Sequence, residues 1–149
     1  LQIETNRRLT VNGSWTNAAT VVADPDSTVE FAGAHPATIA GSNTFWNLTI
    51  TNAGKTVSFE AGKTNTINGL LTLGTTAGDS TVTLQSTSAN DGWFITLAPG
   101  GDQAIKRVTV TDSHTDGGQE LLAGKGSVDG GHNVNWLFPK SDGTMILVR

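Results

Sequence analysis

A three-residue phrase, apolar–polar–apolar, returns along this chain every 23 to 28 residues. Val29-Glu30-Phe31 recurs as Val57-Ser58-Phe59, Val82-Thr83-Leu84 and Val108-Thr109-Val110, at offsets of 28, 25 and 26. A second set interleaves with it: Leu48-Thr49-Ile50, Leu71-Thr72-Leu73 and Ile95-Thr96-Leu97, at offsets of 23 and 24. A third set, Thr38-Ile39-Ala40 and Thr66-Ile67-Asn68, is 28 apart. Self-similarity at such a period marks a stacked-repeat architecture. In an extended strand the two apolar residues of each phrase face one way and the middle residue the other. The pattern therefore predicts inward ladders, one of which runs Val29/Phe31, Val57/Phe59, Val82/Leu84, Val108/Val110. Three strands per turn describe a right-handed three-sided parallel β-helix of about four coils.

The punctuation agrees. Asn52-Ala53-Gly54-Lys55, Ala61-Gly62-Lys63, Thr76-Ala77-Gly78-Asp79 and Pro99-Gly100-Gly101-Asp102 each follow a strand phrase. Gly supplies positive φ there, and Asn or Asp tolerates it. No segment of ten or more residues has helical periodicity. The coils are read as 29–50, 57–73, 82–97 and 108 to Trp136. Residues 1–149 make one domain, with 1–27 a partial coil or cap, 28–137 the repeats, and 138–149 a turn and an apolar strand. Trp15 and Trp136 are placed to cover the two ends. Met145, Ile146, Leu147 and Val148 break the repeat, and as a lone strand they would be an aggregation hazard. They must pack on their own solenoid or on a neighbour, which makes them the candidate assembly residues. Regularly spaced short strands also fit an antiparallel β-sandwich, the alternative fold.

Composition narrows the function classes. Charged residues are 15 % of 149 and the net charge is −4. Arg7-Arg8 and Lys106-Arg107 are isolated pairs, so a phosphate-neutralising stripe is missing and nucleic-acid binding is not expected. No apolar run of 18 residues occurs, so membrane insertion is not expected. Cysteine is absent, which removes disulfides and thiolate metal sites.

Candidate chemistry is sparse. Asp24-Pro25-Asp26 places two carboxylates one residue apart, a weak pattern for Ca²⁺, which needs six or more oxygen ligands. Otherwise no cofactor is expected. Asp112-Ser113-His114-Thr115-Asp116 and Asp129-Gly130-Gly131-His132 contain acid and imidazole groups, but Asp beside Gly is also ordinary turn chemistry. His35, His114 and His132 lack the helical spacing of a zinc enzyme. No catalytic residue is assigned. Trp46 and Trp93 each precede a strand phrase of one column, so together they would make a stacking platform for sugars if both faced outward. Thr81-Val82-Thr83 and Thr109-Val110-Thr111 have the Thr-x-Thr form of ice-binding β-helices, but the predicted outward column, Glu30, Ser58, Thr83, Thr109, is interrupted.

The phrases Asn43-Thr44-Phe45-Trp46-Asn47-Leu48-Thr49-Ile50, Ala53 to Gly62, Ile67 to Leu73 and Gly126 to Trp136 resemble a repeat type of large exported bacterial surface proteins. The resemblance covers about residues 28–137. It implies a secreted or surface-displayed structural or adhesive β-helix, not an enzyme, with self-association, other surface proteins or glycans as partners. A self-assembling filament subunit and a carbohydrate- or ice-binding module both fall within that expectation. Polysaccharide lyases and pectin hydrolases share the fold. The catalytic phrases of the pectin hydrolases are missing, and Asp129-Gly130-Gly131-His132-Asn133 is only loosely similar to their Gly-His-Gly element, Asn133 standing for the last Gly.

Overall fold

Strands of two to five residues, each inward at alternate positions, wind into a three-faced parallel β-solenoid in the computed structural model. The structure describes residues 1–16, 21–75, 78, 80–140 and 145–148, the last segment through its backbone and Val148. Face I stacks Arg8–Val11, Thr28–Phe31, Asn47–Ile50, Leu70–Leu73 and Asp102–Ile105. Face II stacks Trp15–Thr16, Ala37–Ala40, Thr56–Phe59, Val82–Ser86, Val108–Val110 and Val128–Asp129. Face III stacks Asn43–Phe45, Thr64–Ile67, Trp93–Leu97 and Ser113–His114. A separate parallel pair, Gln2–Ile3 with Val22–Ala23, precedes them. All pairings among the described residues are parallel except one, which excludes a sandwich. The exception is Met145–Val148, which runs antiparallel along Trp136–Pro139.

The inward parity expected from the phrases holds, but their sorting into columns does not. Val29 faces Leu48 on face I, whereas Val57 and Phe59 face Ala37 and Ile39 on face II. Ile95 faces Asn65 on face III and not Leu71. Thr38-Ile39-Ala40 and Thr66-Ile67 lie on different faces. Val57 meets Leu84, two residues on from Val82. All three faces carry the same apolar–polar–apolar signature, so phrase similarity cannot tell one from another. The turn length also varies: Val29 and Leu48 are 19 apart, Leu71 and Gln103 are 32 apart. The first turn starts at Gln2, and the segment read as one coil from 108 to Trp136 contains strands of two.

One buried apolar cluster runs from Ile3 to Phe138. Phe59 and Trp93 stack at its centre, with ring centroids 3.9 Å apart and planes at 4°. Trp15 closes the first turns: its ring stands edge-on to Phe31 and Phe45, and its Nε1–H donates to Asn43 Oδ1 at 2.8 Å. Asn43 in turn donates through Nδ2 to Asn65 Oδ1 at 2.9 Å, forming an inward amide column. Trp136 is buried near the other end, stacked on Phe138, and donates to Ser113 Oγ.

Two polar side chains repair the stack where loops interrupt it. Lys55, fully buried, donates from Nζ to the carbonyls of Ala32, Gly33 and His35 at 3.0, 3.1 and 2.8 Å. Burial pushes its ammonium below the ordinary value of 10.5. Lys63, in the second Ala-Gly-Lys corner, is only half-buried. On face I, Leu121–Leu122 follows Asp102–Ile105 without belonging to its sheet. Gln103 spans that seam: its Oε1 accepts from the Leu122 N–H at 2.7 Å and its Nε2 donates to Glu120 O at 3.0 Å. One carboxamide thus substitutes for a peptide group of the ladder.

Candidate functional site

The corner between faces II and III gathers the most chemistry. Asp112 ends the strand Val108–Val110 and turns the chain with φ 58°. Twenty residues later, one turn on, His132 makes the matching corner with φ 56°. The corners approach closely: a Cβ on Gly130 would lie 2.2 Å from Thr111 Oγ1, so only glycine fits there. Asp112 N–H donates to Gly131 O at 3.0 Å, which fixes the two corners against each other.

That stacking brings Asp112 Oδ1 to 2.9 Å from His132 Nδ1. The carboxylate side chain is 7 % exposed and the imidazole 66 %. Asp112 Oδ2 also accepts the Asn90 N–H at 3.3 Å. Beside them, Asp129 Oδ1 accepts from Gly131 N–H and Asn133 Nδ2 at 2.9 and 2.6 Å. Asn133 also bonds Val110 O and Ser113 N–H, which ties two successive turns together. A carboxylate accepting from Nδ1–H leaves Nε2 as a solvent-facing proton acceptor. An acid–imidazole contact is one element of a hydrolytic triad. No serine or threonine hydroxyl bonds that imidazole among the described residues, so the arrangement lacks the nucleophile that a triad requires.

The other expected site residues are dispersed. His114 lies on the outside of face III, edge-on to Phe94. The backbone carbonyl of Asp116 accepts from Thr96 Oγ1. Asp24 accepts from Gln2 Nε2 at 3.1 Å, and its carbonyl accepts the Ser27 N–H, closing a turn in which Asp26 has φ 63°. No group of three or more His, Cys, Asp or Glu residues is placed to hold a metal among the described residues. The paired tryptophan platform is not formed. Trp93 is fully buried against Phe59, because its position begins a face III strand with inward parity. Trp46 sits at a different corner, its indole packed over Gly69, where an added Cβ would lie 2.5 Å from Nε1.

The observed register rewrites the threonine columns. Thr56, Thr83 and Thr109 are directly opposite one another outside face II, and Thr44, Thr66 and Thr96 outside face III. The expected interruption at Ser58 came from the two-residue register difference. Met145–Val148 docks on its own solenoid, one of the two placements expected of it; Thr144 and Arg149 lie outside the described residues. Lys55 and Gln103 carried no signal in the sequence, since their partners are backbone groups of the neighbouring turn. The Asp112–His132 pair is 20 residues apart, a turn length seen in the register of Arg8 with Thr28 but shorter than the 23 to 28 residues read from the phrases.

No family model, curated protein or solved structure matches the chain.

Proposed function

We propose that this chain is a structural and adhesive extracellular module, a stiff rod of a bacterial cell surface that spaces or presents other surfaces and turns over no substrate. The observation that supports this most is the continuous buried cluster from Ile3 to Phe138 inside a ladder of parallel strands. Each turn touches its neighbours alone, so the design extends lengthwise at little cost. The outward faces carry Thr, Ser, Asn and Gln at strand positions, which suits contact with water and with polar partners. No helix is long and apolar enough to cross a membrane among the described residues. The test is immunogold labelling of intact source cells, with protease shaving. Labelling outside the cell, lost on shaving, is the expected result; a protein recovered only from within intact cells overturns the proposal.

A second reading, ice or carbohydrate binding, is favoured by the in-register threonine columns. Stacked strands set such hydroxyls about 4.8 Å apart. Thermal hysteresis and a glycan array test it, with Thr83→Leu as the blocking substitution.

A further inference from the structure

Two Asn-Gly pairs, Asn12-Gly13 and Asn68-Gly69, occur along the chain. In such a pair the peptide nitrogen of the glycine can attack the carboxamide carbon of the asparagine. Glycine has no Cβ to shield that nitrogen or to restrict the backbone rotation that the attack requires. The two pairs are equivalent in sequence, but the fold treats them differently. Asn68-Gly69 forms a locked corner between faces III and I. Gly69 N–H donates to Trp46 O at 2.8 Å, and Gly69 O accepts from the Asp102 N–H at 2.9 Å. Asn68 N–H donates to Phe45 O at 3.0 Å. The Trp46 indole covers the spot, since a Cβ on Gly69 would lie 2.5 Å from its Nε1. The attacking nitrogen is therefore engaged in a hydrogen bond, and the turns on either side hold its corner in place.

Asn12-Gly13 is the open pair. It makes the corner between Arg8–Val11 and Trp15–Thr16, and both residues are exposed. A Cβ on Gly13 would meet nothing within 4 Å. Neither the Gly13 N–H nor the Asn12 carboxamide has a hydrogen-bond partner among the described residues. Asn12 leans on the next turn through ordinary contact alone: its Oδ1 and its carbonyl oxygen lie 3.7 and 3.8 Å from where a Cβ of Gly33 would stand. Nothing therefore keeps the Gly13 nitrogen from swinging onto Asn12 Cγ.

We infer that Asn12 is a site of spontaneous modification, converted through a succinimide to aspartate and isoaspartate, and that the fold keeps Asn68 as the amide. Hydroxide takes the proton of the Gly13 N–H, and the nitrogen attacks Asn12 Cγ. The N–Cγ bond forms, the Cγ–Nδ2 bond breaks, and ammonia leaves. Water then opens the imide at one of its two carbonyls. Opening on one side gives aspartate; opening on the other gives isoaspartate, whose main chain runs through Cβ. Nothing is oxidised or reduced. Either product adds one negative charge to a chain of net charge −4. Isoaspartate also lengthens the main chain by one carbon atom in the corner that delivers Trp15 to the core. That corner rests on Gly33, whose carbonyl helps to hold the Lys55 ammonium. This chemistry is independent of the module role proposed above, and neither outcome of its test bears on that role.

The experiment incubates the 149-residue protein in mildly alkaline buffer, folded and in guanidinium chloride, and follows both Asn-Gly peptides by mass spectrometry. Electron-transfer fragmentation distinguishes isoaspartate from aspartate. In the folded protein Asn12 should be lost at least about tenfold faster than Asn68, whose corner must open before it can react. In denaturant the two rates should converge, because only the fold separates them. Gly13→Ala should slow the loss of Asn12 and leave Asn68 as in the parent. The added methyl has open space around it at an ordinary φ, and circular dichroism confirms that the variant folds. An Asn12 that persists as the amide in the folded protein would overturn the inference. So would equal loss of Asn12 and Asn68 in the folded protein, or a Gly13→Ala variant that loses Asn12 at the parent's rate.

Discussion

Replacing Lys55 by Met removes a buried ammonium and leaves its aliphatic stem in place. Three backbone carbonyls, those of Ala32, Gly33 and His35, then lose their donor. A hydrogen bond to a charged group contributes about 1.5–3 kcal/mol, so the three together set an upper bound of about 9 kcal/mol. Two effects reduce it. Withdrawing an ammonium from water costs several kcal/mol, a penalty the variant no longer carries. His35 is exposed and the other two acceptor residues are half-buried, so water can replace part of the lost bonding. The balance is a loss of about 3 kcal/mol, or roughly 6–12 °C in melting temperature for a chain of this size. Urea unfolding at neutral pH measures it, with an unchanged m-value as the sign that the denatured state is unaffected. Lys63→Met is the control, expected within about 0.5 kcal/mol of the parent as a surface change. The pH dependence has a fixed sign. The folded state holds Lys55 below 10.5, so between that depressed value and 10.5 the unfolded chain binds more protons. Stability contributed by this group therefore rises with pH across that window, and Lys55→Met abolishes the rise. The chain has no Tyr or Cys to titrate in the same range. A Lys55→Met variant as stable as the parent at neutral pH would show that the three carbonyls do not need the ammonium.

Three other outcomes are expected. Phe59→Ala, which deletes one half of the Phe59–Trp93 stack, should cost about 3–5 kcal/mol in urea unfolding. At the acidic corner, Asp112→Ala should cost about 1–3 kcal/mol, because it strips a buried acceptor from two partners and puts Ala at positive φ. His132→Asn should stay within about 1 kcal/mol, since the imidazole is largely exposed and Asn tolerates that φ. Neither variant should change the rate of glycan or peptide cleavage from that of buffer in reducing-end and fluorogenic assays. Gln103→Ala should speed amide hydrogen exchange at Leu122, measured by mass spectrometry, while leaving the strands before Val82 protected.

Side-chain parity was the most legible part of this sequence. Val57, Phe59, Leu71, Leu73, Val82 and Leu84 are all buried, as the alternation requires. Strand partnership was less legible, because it depends on corner length, and corners are built from Gly, Asn, Asp and Ser in interchangeable order. Hence Val29-Glu30-Phe31 pairs with Leu48 although it reads like Val57-Ser58-Phe59. Trp46 and Trp93 show the same limit: each stands two residues before an apolar strand position, but Trp46 falls in the corner between Asn43–Phe45 and Asn47–Ile50, whereas Trp93 is the first residue of its strand and points into the core. The two Ala-Gly-Lys corners are identical in sequence. Only the loop beside Lys55, with three carbonyls to satisfy, draws its lysine inward.

The unequal turns have a consequence for what this scaffold can carry. Neighbours on face I lie 19 positions apart at one level and 32 at another, yet both levels continue the same ladder. The difference is spread over all three corners and two longer strands, so each corner takes up three or four extra residues without displacing a strand. Loop closure asks little for this, about 0.6 kcal/mol for each doubling of length. The strands hold the rod and the corners are free to differ, so a foreign peptide or recognition loop spliced at such a corner would be displayed at a fixed height along the axis, with the interior from Ile3 to Phe138 undisturbed.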